Sequence, residues 1–154
     1  MDNQKTIDVL NSLVVINNDR IEGYKTAEAE AKETDLKMLF SDLMETSVTN
    51  RKDLVAHIEK LGGTPDEGTR VTGKFFRVWM DVKAAFSGND RKAILESCEY
   101  GEDVILEVYK KALIEDHQNI DSEIEYMLNK HHALLKTDHD KVKELLHLIQ
   151  NQAN

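Results

Sequence analysis

Proline is almost missing from this 154-residue chain, where Pro65 stands alone, and aromatic residues are few, with four Phe, four Tyr and one Trp. Without helix breakers, and without the aromatic-rich runs of sheet proteins, a β-rich architecture is disfavoured. Cysteine is limited to Cys98, so no internal disulfide can form, which suits a reducing compartment. No stretch approaches the roughly 20 apolar residues that span a bilayer, and the opening MDNQKTIDVL lacks the basic and apolar regions of a secretory signal. The chain therefore reads as cytoplasmic, with no membrane partner. Blocks of like charge are also lacking: the net charge of -9 is spread along the sequence, which argues against nucleic acid or an anionic membrane as a partner. Nor is there a glycine-rich phosphate loop, a Cys/His zinc spacing or a serine nucleophile elbow. No residue is assigned as catalytic or cofactor-binding on this ground.

Leu, Lys, Glu and Ala are abundant, and apolar residues recur at helical spacing, so the chain is expected to be all-α. Ile7, Leu10, Val14, Ile21 and Tyr24 mark a first helix over about 4–31. Leu36, Phe40, Leu43, Leu54, Ile58 and Leu61 mark a second over 35–61, ended by Gly62-Gly63-Thr64-Pro65. The short join at Glu33-Thr34-Asp35 implies an antiparallel hairpin. Phe75, Trp79, Val82 and Phe86 form one stripe of a crossover helix over 72–86. After Asn89-Asp90, a third long helix over 90–115 turns Ile94, Cys98, Ile105, Val108, Tyr109 and Ala112 inward. Asn119 and Asp121 start the fourth, over 119–150, along Ile124, Met127, Leu128, Leu135, Val142, Leu145 and Ile149. These elements make one domain, 1–154, in which two hairpins joined by a long connection give either an antiparallel four-helix bundle of the ferritin-like kind, with the crossover joining its second and third helices, or, if the connection merely loops locally, an up-down meander; the crossover's own apolar stripe favours the first.

A helix turns about 100° per residue, so polar residues near the centre of an apolar stripe must be buried. Asn17 and Glu28 lie there on helix one, Ser47 and Asn50 on helix two, Glu102 on helix three, and His131 and Asp138 on helix four. Counting from the hairpin turns sets Asn17, Ser47, Asn50, Glu102 and His131 at mid-bundle, and Glu28 with Asp138 nearer the first turn. A carboxylate and an imidazole from facing helices are the material of a metal site in a bundle core, so Glu102, His131, Glu28 and Asp138 are candidate ligands. Asn17, Ser47 and Asn50 would complete a buried polar layer that equally well pairs within itself. Gly23 and Gly101 are helix-interior glycines, explained by close helix approach or by a site.

The run GKFFRVWMDVKAAFSGNDRKAILESCEYGEDVILEVYKKAL, with NDRIEGYKTAEAEA and LVAHIEKLGGTP, resembles a family of bacterial ferritin-like four-helix-bundle proteins of unassigned function. The resemblance spans nearly the whole chain and centres on Trp79-Met80-Asp81 through Gly101-Glu102-Asp103. It implies the bundle with its helical crossover, a cytoplasmic location and no established reaction. More distantly the chain is similar to rubrerythrin and other di-iron carboxylate proteins, in which helices one and three each give a glutamate and helices two and four each give Glu-x-x-His. Setting Tyr24 and Phe40 against that pattern places Asn17 at the first glutamate and Ser47-x-x-Asn50 at the first Glu-x-x-His. Glu102 falls at the third-helix glutamate, and Lys136-x-x-His139 replaces the last motif, leaving His131 and His139 as alternative inward histidines. Too few carboxylates remain to neutralise two iron ions. The expected function is a non-enzymatic, stress-associated or interaction role, and the alternative is iron or manganese binding with a reduced ligand set. Self-assembly, or a protein partner bound through the Phe75, Trp79 and Phe86 segment, is a third expectation.

Overall fold

A computed structural model describes residues 2–68, 74–88 and 90–152, the side chains of 74–78 excepted. The Asp2 carboxylate accepts from the backbone N–H groups of Gln4 and Lys5 and starts α1, Asn3–Glu30. After a three-residue turn, α2 covers Thr34–Lys60 and stops at Gly62, whose φ of 82° is a left-handed conformation that favours glycine. The short helix α3 spans Lys74–Ser87. Asp90 caps α4, Arg91–Ile114, by accepting from the Ala93 N–H. A single 3₁₀ turn, His117–Asn119, leads to α5, Ser122–Gln152, where the Asp121 carboxylate accepts from the Ile124 N–H at 2.8 Å. Among the described residues there is no strand, and the fold class is all-α. No helix among them is long and apolar enough to cross a membrane.

Most helix ends fall within one or two residues of the sequence reading. The exception is the start of α5, which is Ser122 rather than 119, because Ile120 is extended and the preceding turn takes up three more residues. The side chain of Phe75, residues 72–73 of the expected crossover helix, and Asn89 lie outside the described residues.

Apolar burial falls into two clusters, and their membership fixes the helix directions. In one, the first half of α1 (Ile7, Leu10, Val14) meets the end of α2 (Leu54, Ile58), the end of α4 (Ile105, Tyr109, Ala112) and the start of α5 (Ile124, Leu128). In the other, the end of α1 (Tyr24, Ala27) meets the start of α2 (Leu36, Phe40), the start of α4 (Ile94, Leu95, Cys98) and the end of α5 (Val142, Leu146). Hence α1 runs parallel to α5, and α2 runs parallel to α4. The ion pairs agree: Lys60, at the end of α2, pairs with Glu123 at the start of α5, while Arg91, at the start of α4, pairs with Glu33 and Asp35 at the α1–α2 turn.

Helix α3 lies against α4 and α1 at the second cluster, where Val82 is buried. The Trp79 indole packs edge-on to Tyr24 with ring centroids 4.8 Å apart. Gly23 makes this possible, since a Cβ at that position would come within 2.0 Å of the indole. Close approach thus accounts for glycine inside α1, where it costs about 1 kcal/mol of helix propensity.

Candidate functional site

Between the two apolar clusters lies a polar layer that begins with a residue the helical stripes did not single out, Arg20. Its side chain is wholly buried. Guanidinium has five N–H donors in a planar fork, and here all five are used. Nε donates to Glu102 Oε2 at 2.9 Å, and Nη2 donates to Glu102 Oε1 at 2.5 Å and to Asp138 Oδ2 at 3.0 Å. Nη1 donates to the Leu43 carbonyl at 2.6 Å and to Ser47 Oγ at 2.9 Å. One arginine therefore ties α1 to α2, α4 and α5. Tyr24 closes the group, with its hydroxyl donating to Glu102 Oε2 at 3.0 Å and its ring 5.2 Å from the guanidinium carbon.

Placing these charges away from water costs several kcal/mol per ion, which the mutual attraction offsets only when hydrogen bonding is complete. Burial alone would lower the Arg20 pKa, but Glu102, with Tyr24 and Asp138, outweighs it and holds the guanidinium above its ordinary value. For Asp138 the balance is opposite: burial raises its carboxyl pKa even though Arg20 pulls it down. Burial, aided by Glu102, likewise pushes up the Tyr24 hydroxyl and the Cys98 thiol. Cys98 is consequently a protonated core residue rather than a reactive thiolate.

A second polar group lies beside it, two helical turns or about 10 Å away along α4 and α5 and within one turn of Arg20 on α1. Asn17 Nδ2 donates to the Tyr109 hydroxyl oxygen at 3.0 Å and to the Leu13 carbonyl at 2.8 Å. Tyr109 Oη is 3.1 Å from His131 Nδ1, and His131 Nε2 is 3.0 Å from Asp53 Oδ2. The Asp53 carboxylate can only accept, so Nε2 carries the imidazole proton and Nδ1 receives the Tyr109 hydroxyl proton. Burial lowers the His131 pKa against the pull of Asp53, which favours this neutral form. Of the four, only Asp53 reaches solvent, with 42% of its side chain exposed.

The sequence candidates are thus distributed in a different way from the level count. Glu102 is brought to Asp138 by Arg20, and not to His131, which belongs to the Tyr109 group. Both pairings, Glu102 with Asp138 and Tyr109 with His131, are symmetric about residue 120. The expected shorter turn near 117 shifted the partner of each α4 residue by about two turns. Glu28 is half-buried and makes no side-chain hydrogen bond or ion pair among the described residues. His131 is the inward histidine, while His139 sits near the surface with Asp103, 2.7 Å from Nε2. Among the described residues no group of three or more His, Cys, Asp and Glu side chains has the arrangement to hold a metal ion.

Fold and site together define an all-α protein with a buried, arginine-centred ionic core. Residues 5–115 match the family described as Domain of unknown function (DUF2383), and since they make up more than two thirds of the sequence, the chain belongs to that family. No curated protein matches it.

Proposed function

We propose that the protein is a ferritin-like four-helix bundle without a metal centre, serving a non-enzymatic, stress-associated or interaction role in the cytoplasm. The parallel pairing of α2 with α4 supports the ferritin-like reading. An up-down meander would make α2 and α4 antiparallel, whereas here the chain between Lys60 and Arg91 has to return along the bundle, and α3 lies on that return. The observation that carries the functional reading is the saturation of Arg20. A fixed cation already sits between Glu102 and Asp138, with every N–H paired, so a divalent ion at these carboxylates would have to displace a buried guanidinium. Binding of iron or manganese by Glu102, Asp138, His131 and Glu28 is the competing reading. It requires side chains from two separated levels to converge.

The two readings differ in mass action. A metal that binds only the folded protein raises the thermal midpoint, and at a hundredfold excess over Kd the gain is about 2.7 kcal/mol, or roughly 5–10 °C for a domain of this size. We expect Fe(II), Mn(II) and Zn(II) each to leave the midpoint unchanged. A rise of several degrees, together with oxygen or peroxide turnover above that of the free metal, would support the metal-binding reading instead.

A further inference from the structure

A cavity of about 590 Å³ opens between α1 and α2 on the outer side of their hairpin, and its floor is apolar, with Ile21 from α1 and Val48, Val55 and Ala56 from α2. Its rim is tied down by Asn18. The Asn18 Nδ2 donates to the carbonyls of Asp66 and Gly68, at 3.3 and 2.9 Å, and its Oδ1 accepts from Arg51 Nε at 2.6 Å, which holds the guanidinium on the α1 side. Two cations and three glutamates share the lining, so neither an anionic nor a cationic small ligand is favoured by sign alone. On the outer stripe of α2 the order is Val48, Lys52, Val55, Glu59, and steps of three and four residues keep all of them on one face. Val48 is 41% exposed, and Lys52, Ala56 and Glu59 are exposed as well. Neither the Lys52 nor the Glu59 side chain has a hydrogen bond or ion pair among the described residues.

We propose that this face is the contact between two copies of the chain, whose α2 helices pack antiparallel about a two-fold axis lying between Val55 and Ala56. The charge order of the stripe selects a second copy. Lys52 and Glu59 stand equally far to either side of that midpoint, about 5 Å at 1.5 Å per residue. The axis therefore brings Glu59 of the second copy to the level of Lys52, and by symmetry forms the reciprocal pair at the other end. A parallel arrangement would set Lys52 against Lys52 and Glu59 against Glu59, and like charges exclude it. Between the two ion pairs, Val55 and Ala56 meet their own copies, and the small Ala56 side chain lets the helices approach closely. Val48 and Ile21 extend the apolar contact along the cavity. The inference names the partner for the interaction role and rests on that part of the proposed function alone. No residue of this face belongs to the Arg20 group, so a metal found in the core would leave it standing.

Analytical ultracentrifugation of the full chain tests this, with charge reversal to locate the contact. The parent should dimerise with a Kd of about 1–100 µM, as suits a small interface. Lys52→Glu and Glu59→Lys each bring like charges together twice, because the two-fold axis repeats every contact, and each should weaken the dimer by at least about tenfold. Combining the two restores opposite charges at both ends and should recover most of that loss. Both positions are exposed and unpaired within the chain, so each variant keeps the fold and the parent's thermal midpoint. A strict monomer at about 1 mM, well above that Kd range, would overturn the proposal and leave the cavity to a different protein. A dimer indifferent to either reversal, or a double variant as weak as the singles, would overturn it equally by placing the contact elsewhere.

Discussion

Replacing Arg20 with methionine is expected to cost about 3–5 kcal/mol, because Glu102 and Asp138 would remain buried with their counter-charge removed. Against a total stability of about 5–15 kcal/mol, that brings the protein close to unfolding at neutral pH. Two features separate lost charge compensation from lost packing. First, the deficit should narrow on acidification. Burial already raises the Asp138 carboxyl pKa against the pull of Arg20, and without Arg20 that pull is gone, so the penalty is present at neutral pH and is relieved as pH falls through the raised folded value. A packing defect would show no such trend. Second, removing the stranded partners should restore the fold. A variant carrying Arg20→Met, Tyr24→Phe, Glu102→Leu and Asp138→Leu is expected to regain most of the stability, since a complete ionic group and an apolar one of similar volume are often equivalent. Urea denaturation across pH measures both; a single variant as stable as the parent would show that Arg20 does not hold the core.

Tyr109→Phe should give the second-largest loss, about 2–4 kcal/mol. Removing one hydroxyl strands two buried groups at once, an N–H of the Asn17 amide and Nδ1 of His131, at about 1–3 kcal/mol each. Tyr100 and Tyr126 are 51% and 75% exposed, and the same substitution there is expected to change stability by less than about 0.5 kcal/mol. The contrast isolates the buried hydrogen bonds from any general effect of losing a phenol. Equal effects at the three positions would remove Tyr109 from the polar layer.

Much of this core is legible in the sequence, and the reason is geometric. Helical stripes turn Asn17, Ser47, Asn50, Glu102, His131 and Asp138 inward, and all six are buried. Gly23 likewise announces the close approach that Trp79 makes. Arg20 escaped because a long cationic side chain is ordinarily read as surface, whose stem can lie along apolar neighbours while its head reaches water. Its spacing was the available signal: three residues after Asn17 and four before Tyr24, it lies on the same stripe as both. Asp53 escaped for the opposite reason. It sits at the rim of α2, and only the position of His131 on a neighbouring helix gives it a buried partner. Pairings between helices were least legible, since they depend on turn length. A few extra residues before α5 displaced every α4–α5 level by two turns, although the inward faces themselves stayed the same.

The central claim is that Arg20, and not a metal ion, balances the carboxylates of the core. The most direct test is elemental analysis by inductively coupled plasma mass spectrometry of protein expressed without an affinity tag and purified without chelator. Iron and manganese far below one atom per chain, before and after reconstitution, is the result predicted by an arginine-saturated core. A stoichiometric transition metal, lost when Glu102 is changed to glutamine, would contradict it.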